Sequence, residues 1–137
     1  MWWIFALLSA LFASLTAILA KVGIKGIDTN LAVAIRTTFI VFITWGIVLY
    51  GGGHKLIGQI SRQNLLFLFL SGTTTGLSWL FYFKALEIGK LSQVAPVDKL
   101  SIALTIILSV VILKEILTIK TMVGALLILG GTLVLIF

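Results

Sequence analysis

LLFLFLSGTTTGLSWLFYF, which forms residues 65–83, contains no charged side chain. A helix needs about 20 predominantly apolar residues to cross the hydrocarbon core of a bilayer, so this stretch predicts a membrane span. Four other apolar stretches of similar length lie before and after it. They cover residues 2–24, 31–50, 92–113 and 121–137. The predicted fold class is therefore all-α, an integral membrane bundle of five transmembrane helices.

The composition of the whole chain supports a membrane protein. Of its 137 residues, 61% are hydrophobic and only 10% are charged, whereas an average soluble domain has about 25% charged residues. The connections between the apolar stretches are too short to form a soluble domain. They cover residues 25–30, 51–64, 84–91 and 114–120. We expect one domain over residues 1–137, a multi-pass protein of the cell membrane whose function lies inside the bilayer.

The residue types present argue against several kinds of site. The chain has no cysteine and one histidine, His54, so neither a disulfide nor a metal site is expected. No nucleophile–base set or phosphate-binding loop appears, so we expect neither an enzyme nor a cofactor. The net charge of +6 comes from single basic residues, mostly at the ends of apolar stretches. Membrane proteins use lysine and arginine in this way, and we expect no nucleic-acid partner.

Basic residues near the ends of the five stretches are divided evenly between the two sides of the membrane. The positive-inside rule therefore sets no clear orientation, and the chain is predicted to insert in both directions. Two oppositely inserted copies would form an antiparallel homodimer, the inverted repeat on which many secondary transporters are built. The residues on the two sides are Lys21, Lys25, Lys84 and Lys90 on one, and Lys55, Arg62, Lys114 and Lys120 on the other.

Polar side chains follow helical spacing on two of the predicted helices. Such stripes either join helices through hydrogen bonds or line a polar cavity, and both interpretations remain open here. The third helix carries Ser71, Thr75, Ser78 and Tyr82, with Trp79 beside them, and the fourth carries Asp98, Ser101, Thr105 and Ser109.

Four glycines are spaced for close contact between helices. Gly72 and Gly76 form a GxxxG pair in the third helix, and Gly124 and Gly131 lie on one side of the fifth. Small residues at this spacing usually let two helix backbones approach each other in a membrane. We therefore assign these glycines to helix packing. Pro96 is placed with them, because proline bends a helix or frees a backbone carbonyl one turn back.

Charged residues inside the predicted spans are the most informative feature. Lys21, Arg36, Asp98 and Lys99 all fall there, although such a charge costs about 2.5–3.5 kcal/mol on insertion scales. The long basic side chains could instead reach back to the headgroups, whereas Asp98 is too short to do so. Asp98 and Lys99 should point about 100° apart, so we expect Asp98 to pair with Arg36 or Lys21. Asp28 and Glu87 are expected to be solvated charges in the connections.

A family resemblance is carried by residues 83–97 (FKALEIGKLSQVAPV), 113–115 (LKE) and 118–136 (TIKTMVGALLILGGTLVLI). These segments resemble the EamA domain of the drug/metabolite transporter superfamily, with Pro96 opening the fourth helix and Glu115 closing it. The chain looks like the single-domain, five-helix bacterial and archaeal branch, which implies that two copies assemble. Lys114 stands where the family usually has glycine. The first helix lacks the essential glutamate of the four-helix relatives, which leaves Asp98 as the comparable carboxylate.

The resemblance implies secondary active transport of a small polar metabolite by alternating access in a dimer. Asp98 would be the coupling or gating carboxylate, and Trp79 and Tyr82 would contact the substrate. Three basic residues against one acid inside the spans favour an anionic or zwitterionic, amino-acid-like substrate. The alternative is a non-transporting membrane subunit of a heteromeric complex or of a paired small transporter. The predicted substrate or coupling residues are Asp98, Lys99, Arg36, Trp79, Tyr82, Ser78, Ser101 and Thr105.

Overall fold

A computed structural model describes residues 1–136, and all the regular structure in that part of the chain is helical. Five segments are long and apolar enough to cross a membrane, which confirms the predicted number of spans. The last residue of the predicted fifth span, Phe137, lies outside the described residues. The helices are α1 (Trp2–Gly23), α2 (Thr29–Tyr50), a 3₁₀ helix (Gly53–Gln59), α3 (Arg62–Ile88), α4 (Leu91–Asp98), α5 (Leu100–Leu113) and α6 (Ile119–Ile136).

The third helix is longer than its apolar stretch. It continues past residue 83 to Ile88, so Ala85, Leu86 and Glu87 lie in its last turns and not in a connection. Lys84 and these three residues are all good helix formers, and Gly89 follows directly after the helix. The hydropathy pattern placed the end of this span too early, because charged residues at the end of a helix lower its mean hydropathy.

The fourth span is divided between α4 and α5, with Lys99 as a turn between them. Pro96 has no N–H, so it cannot donate to the carbonyl one turn back. After it the backbone tightens. The N–H of Lys99 donates to the carbonyl of Pro96 at 3.0 Å, and that of Ile102 donates to the carbonyl of Lys99 at 3.0 Å. Bonds over three residues belong to 3₁₀ geometry, so the regular α-helical hydrogen bonding of the span changes where its acid and base lie.

Helix α2 begins at a capped end. The carboxylate of Asp28 accepts a hydrogen bond from the N–H of Leu31 at 2.9 Å, which is the bond that a capping aspartate makes. The turn before it contains Gly26 at φ 72°, a left-handed conformation that glycine adopts without steric cost. Asp28 lies exposed in the connection, as expected, and it also caps α2.

Helix α5 ends on a left-handed residue that is not glycine. Lys114 has φ 55° and ψ 32°, and the N–H of Glu115 then donates to the carbonyl of Ser109 at 3.3 Å. A side chain with a Cβ is disfavoured in this region by roughly 1–2 kcal/mol. Glycine, which has no Cβ, would adopt this conformation without strain, whereas Lys114 is strained in it.

The chain divides into two compact units. The first comprises Met1–Ile18 with Ile88–Phe137, and the second comprises Leu19–Glu87. Within the first unit, α6 packs against α4 and α5, and Thr132 of α6 is buried. Most other apolar side chains are exposed in the single chain, as expected for helices that face lipid. The buried residues of the second unit, here called the packed end, are Ile24, Thr29, Val33, Phe83 and Leu86.

Candidate functional site

The guanidinium of Arg36 lies over the indole ring of Trp79, with its Cζ 4.0 Å from the ring centroid. Phe83, one turn further along α3, has its ring centroid 5.5 Å from the same atom. A cation is attracted to the face of an aromatic ring, and more strongly where water is excluded. This contact joins α2 to α3 within the second unit. It brings together two of the predicted site residues and adds Phe83, which the prediction omitted.

The packed end fixes the helices that carry this contact. Val33 lies one turn before Arg36 on α2 and is buried, and Phe83 is only 2% exposed. The ring of Tyr82 meets the ring of Phe83 at 6.5 Å between centroids and 63° between planes, an edge-to-face arrangement. The four-residue spacing of Trp79 and Phe83 places both rings on one face of α3, but it does not identify Arg36 of α2 as the residue they meet.

The hydrogen-bonding edge of Arg36 is not used within residues 1–136. In that part of the chain its guanidinium forms neither a salt bridge nor a hydrogen bond, and the side chain is partly buried. A guanidinium has five N–H donors in a planar fork that matches a carboxylate or a phosphate. Aromatic rings stabilise its charge but occupy only its faces. The arrangement can therefore bind an anion at the edge of the guanidinium.

Lys21 makes a structural contact. Its ammonium donates to the backbone carbonyl of Leu86, which lies in the last turn of α3 and is fully buried. The carbonyl end of a helix carries partial negative charge, so a cation is favourable there. The ammonium of Lys21 is therefore turned onto α3, and whether it also reaches the headgroups stays a prediction.

Asp98 and Lys99 contact each other. The Oδ2 of Asp98 lies 3.5 Å from the Nζ of Lys99, with the two side chains 40% and 53% exposed. The expectation that they point apart was wrong because Lys99 is the turn between α4 and α5, not a regular helical position. A partly exposed pair at this distance contributes about 0–1 kcal/mol. The pairing of Asp98 with Arg36 or Lys21 stays a prediction.

Three threonine hydroxyls of α3, of which only Thr75 belongs to the predicted polar stripe, are satisfied by their own helix. The hydroxyls of Thr73, Thr74 and Thr75 donate to carbonyls three or four residues earlier, at 2.8–3.1 Å. Threonine in a helix often makes such bonds, which leave no unmet donor. These hydroxyls therefore do not need another helix as a partner. The other predicted hydroxyl residues, Ser78 of α3 and Ser101 and Thr105 of α5, are exposed.

The glycines assigned to packing make no close helix contact within the described chain. A methyl group added at Gly72, Gly76, Gly124 or Gly131 would meet no described atom within 4 Å. Close approach of backbones would have placed atoms there. These faces are open in one chain, and their contact with a second copy stays a prediction.

A pocket of about 460 Å³ opens at the turn between α1 and α2, within the second unit. Glu87, expected to be solvated, lies on its wall and accepts a salt bridge from Lys84 at 2.6 Å. The sequence prediction missed this pocket because it placed Glu87 and Asp28 in separate connections. The lining residues, here called the turn pocket, are Lys21, Ile24, Lys25, Gly26, Ile27, Asp28 and Glu87.

Comparison with known proteins extends the resemblance over the whole length of the given chain. The sequence pattern of the EamA-like transporter family matches residues 1–137. The chain is 44% identical over 134 residues to a protein of Sinorhizobium sp. named as an uncharacterized transporter in the cobO 3′ region. That alignment covers 98% of this chain and 95% of the relative. No solved structure matches the chain at a significant level.

Proposed function

The chain belongs to the EamA-like transporter family, and we propose that it is a secondary active transporter of a small polar metabolite with an anionic group. Membership, the transporter-named relative and five apolar helices make it a multi-pass transporter of the cell membrane. The observation that carries the substrate class is the guanidinium of Arg36, held on Trp79 with no anionic partner within the second unit, Leu19–Glu87.

The free energy of placing Arg36 in the membrane supports an anionic ligand. A charge in a membrane helix costs about 2.5–3.5 kcal/mol on insertion scales. Its contact with aromatic rings returns about 0.5–2 kcal/mol. The remainder is best offset by a carboxylate that binds the guanidinium fork through two hydrogen bonds. An amino-acid-like zwitterion or a carboxylate anion would supply that group.

The helix break in the first unit supports a coupling role for Asp98. Transporters commonly use interrupted helices at substrate and ion sites, because the break frees backbone groups. Here Asp98 ends α4, and its carboxylate is partly exposed beside Lys99. We assign Asp98 as the coupling or gating carboxylate. Protonation of that carboxylate would release the ammonium of Lys99.

Assembly as an antiparallel homodimer is the form of transport that we propose. The even division of the lysines and arginines near the ends of the spans supports insertion in both directions. The open glycine faces of α3 and α6 support contact with a second copy, since close approach needs such faces. In alternating access, the two oppositely inserted subunits would then open one site to each side of the membrane in turn.

The test of the function is transport by the purified chain alone in liposomes. A panel of radiolabelled L-amino acids, with glutamate among them, serves as the probe. We expect concentrative uptake of at least one member, lost in Arg36→Gln and reduced in Arg36→Lys, because lysine cannot reproduce the planar fork. Arg62→Gln, at the exposed start of α3, is the matched control and should keep wild-type uptake. Wild-type uptake by Arg36→Gln would remove Arg36 from substrate binding.

The same measurement separates the second candidate, a non-transporting subunit of a heteromeric complex or of a paired small transporter. The open glycine faces of α3 and α6 favour some partner, of either kind. Absence of flux for the chain alone, with flux restored by a co-purified partner, would support that candidate in place of a homodimer.

A further inference from the structure

We propose that the turn pocket binds a zwitterion that carries a primary ammonium and an anionic group. The pocket is distinct from the Arg36 contact, since Arg36 is not among the residues that line it. Its walls carry charge of both signs within one cavity of about 460 Å³. The cations are Lys21 and Lys25, and the anions are Asp28 and Glu87.

Unused polar atoms remain on these walls. The ammonium of Lys25 forms no salt bridge or hydrogen bond with any of residues 1–136. One oxygen of Asp28 accepts from the N–H of Leu31, and one oxygen of Glu87 accepts from Lys84. The second oxygen of each carboxylate accepts no hydrogen bond from the described residues. The pocket thus offers one ammonium and two carboxylate oxygens to a ligand.

Three of the four charged side chains on the walls, all except Lys25, form bonds before any ligand binds. The capping bond of Asp28 fixes its carboxylate at the start of α2, and Glu87 is paired on the last turn of α3. The hydrogen bond from Lys21 to the carbonyl of Leu86 joins the end of α1 to α3. The side chain of Leu86 is fully buried. Groups ordered in advance lose less conformational freedom on binding.

The distribution of charge selects the ligand. The two carboxylates would repel a simple anion. The two ammonium groups would repel a simple cation. A ligand with both charges satisfies both walls. Its cation should be a primary ammonium, because the carboxylate oxygens accept hydrogen bonds and a quaternary ammonium has no N–H to donate. Free amino acids have this chemistry, and so does the phosphoethanolamine headgroup of a lipid at the membrane surface.

Calorimetric titration tests the site on the purified protein in phosphatidylcholine nanodiscs. We expect phosphoethanolamine or glycine to bind, and ethanolamine, inorganic phosphate and phosphocholine to bind more weakly. Lys25→Gln and Glu87→Gln should each weaken binding by roughly threefold to fivefold, the usual effect of an exposed ion pair. Lys55→Gln, on the 3₁₀ helix outside the pocket, should leave it unchanged. Absence of binding by both zwitterions, or unchanged binding by both pocket variants, would overturn the proposal.

Nanodiscs that contain phosphatidylethanolamine distinguish a free zwitterion from a lipid headgroup as the natural ligand. Loss of the titrated signal there assigns the pocket to the lipid headgroup, whereas an unchanged signal assigns it to free zwitterions. Arg36→Gln should keep the binding, because Arg36 is outside the pocket. Failure of the transport proposal and failure of this one therefore give different results.

Discussion

The ammonium of Lys21 donates a hydrogen bond to the backbone carbonyl of Leu86 and so ties the end of α1 to the end of α3. Leu86 is the only described residue whose side chain is fully buried, so the bond lies at the most tightly packed point in residues 1–136. A hydrogen bond from a charged donor is among the stronger polar contacts in a protein. The contact organises the packed end of the second unit and one wall of the turn pocket.

Replacement of Lys21 should destabilise the fold. Lys21→Met keeps the aliphatic length but leaves the carbonyl of Leu86 without its ammonium donor, which should cost about 1.5–3 kcal/mol. Thermal unfolding in detergent should show a clear fall in Tm. Lys25→Met, four residues on and without a partner in the described chain, is the matched control and should change Tm little. Equal Tm values for wild type and Lys21→Met would mean that the bond contributes no stability.

The contact between Arg36 and Trp79 should appear as an energetic coupling. Arg36→Met, Trp79→Leu and the double variant form a cycle in which the coupling free energy should be about 0.5–2 kcal/mol. Denaturant or thermal unfolding of the four proteins measures it. Arg62 and Trp79 do not contact each other in the described chain, and this pair provides a reference cycle with coupling near zero. Additive effects in the first cycle would show that the two side chains act independently.

Glycine at position 114 should stabilise the protein. Lys114 holds φ 55°, a conformation that glycine adopts readily, so Lys114→Gly should raise the free energy of unfolding by about 0.5–1 kcal/mol. Lys114→Ala removes the same charge but keeps a Cβ, and it should give no such gain. The comparison of the two Tm values isolates the backbone effect from the charge. A gain in Lys114→Ala equal to that in Lys114→Gly would assign the effect to charge.

Neutralisation of Asp98 should separate coupling from binding. If Asp98 couples transport to protons, Asp98→Asn should abolish uptake driven by a pH gradient while substrate exchange and folding remain. Lys99→Gln removes the other half of the 3.5 Å pair and should retain gradient-driven uptake. Liposomes with and without an imposed pH gradient supply the measurement. Full gradient-driven uptake by a stable Asp98→Asn variant would exclude Asp98 from the mechanism.

Insertion in both directions should be visible by labelling. Single cysteines in Asn30→Cys, at the start of α2, and His54→Cys, on the 3₁₀ helix after its end, should each be labelled from both faces of sealed cells. Three added lysines, in Gly58→Lys, Gln59→Lys and Gln63→Lys, should then force one orientation. That variant should lose transport alone and regain it with an oppositely biased copy. One-sided labelling of each cysteine in the unbiased chain would contradict the antiparallel dimer.

The helices could be predicted from the sequence, and most contacts between side chains could not. The apolar stretches predicted all five spans, because a helix needs about 20 apolar residues to cross the hydrocarbon core of the bilayer. The end of α3 was missed because Lys84 and Glu87 are charged yet helix-forming. Asp98 and Lys99 were predicted to point apart, but they contact each other, because regular helical angles do not hold at the turn after Pro96. The position of Arg36 over Trp79 depends on how α2 and α3 pack, which helical spacing does not define.

The inward hydrogen bonds of Thr73, Thr74 and Thr75 have a consequence for how α3 tolerates its surroundings. Each hydroxyl already has an acceptor on its own helix, so its donor does not depend on water or on a neighbouring chain. Transfer of this surface between lipid and an aqueous cavity therefore leaves those three hydrogen bonds intact. The three hydroxyl donors of α3 thus stay satisfied whether lipid or water surrounds them.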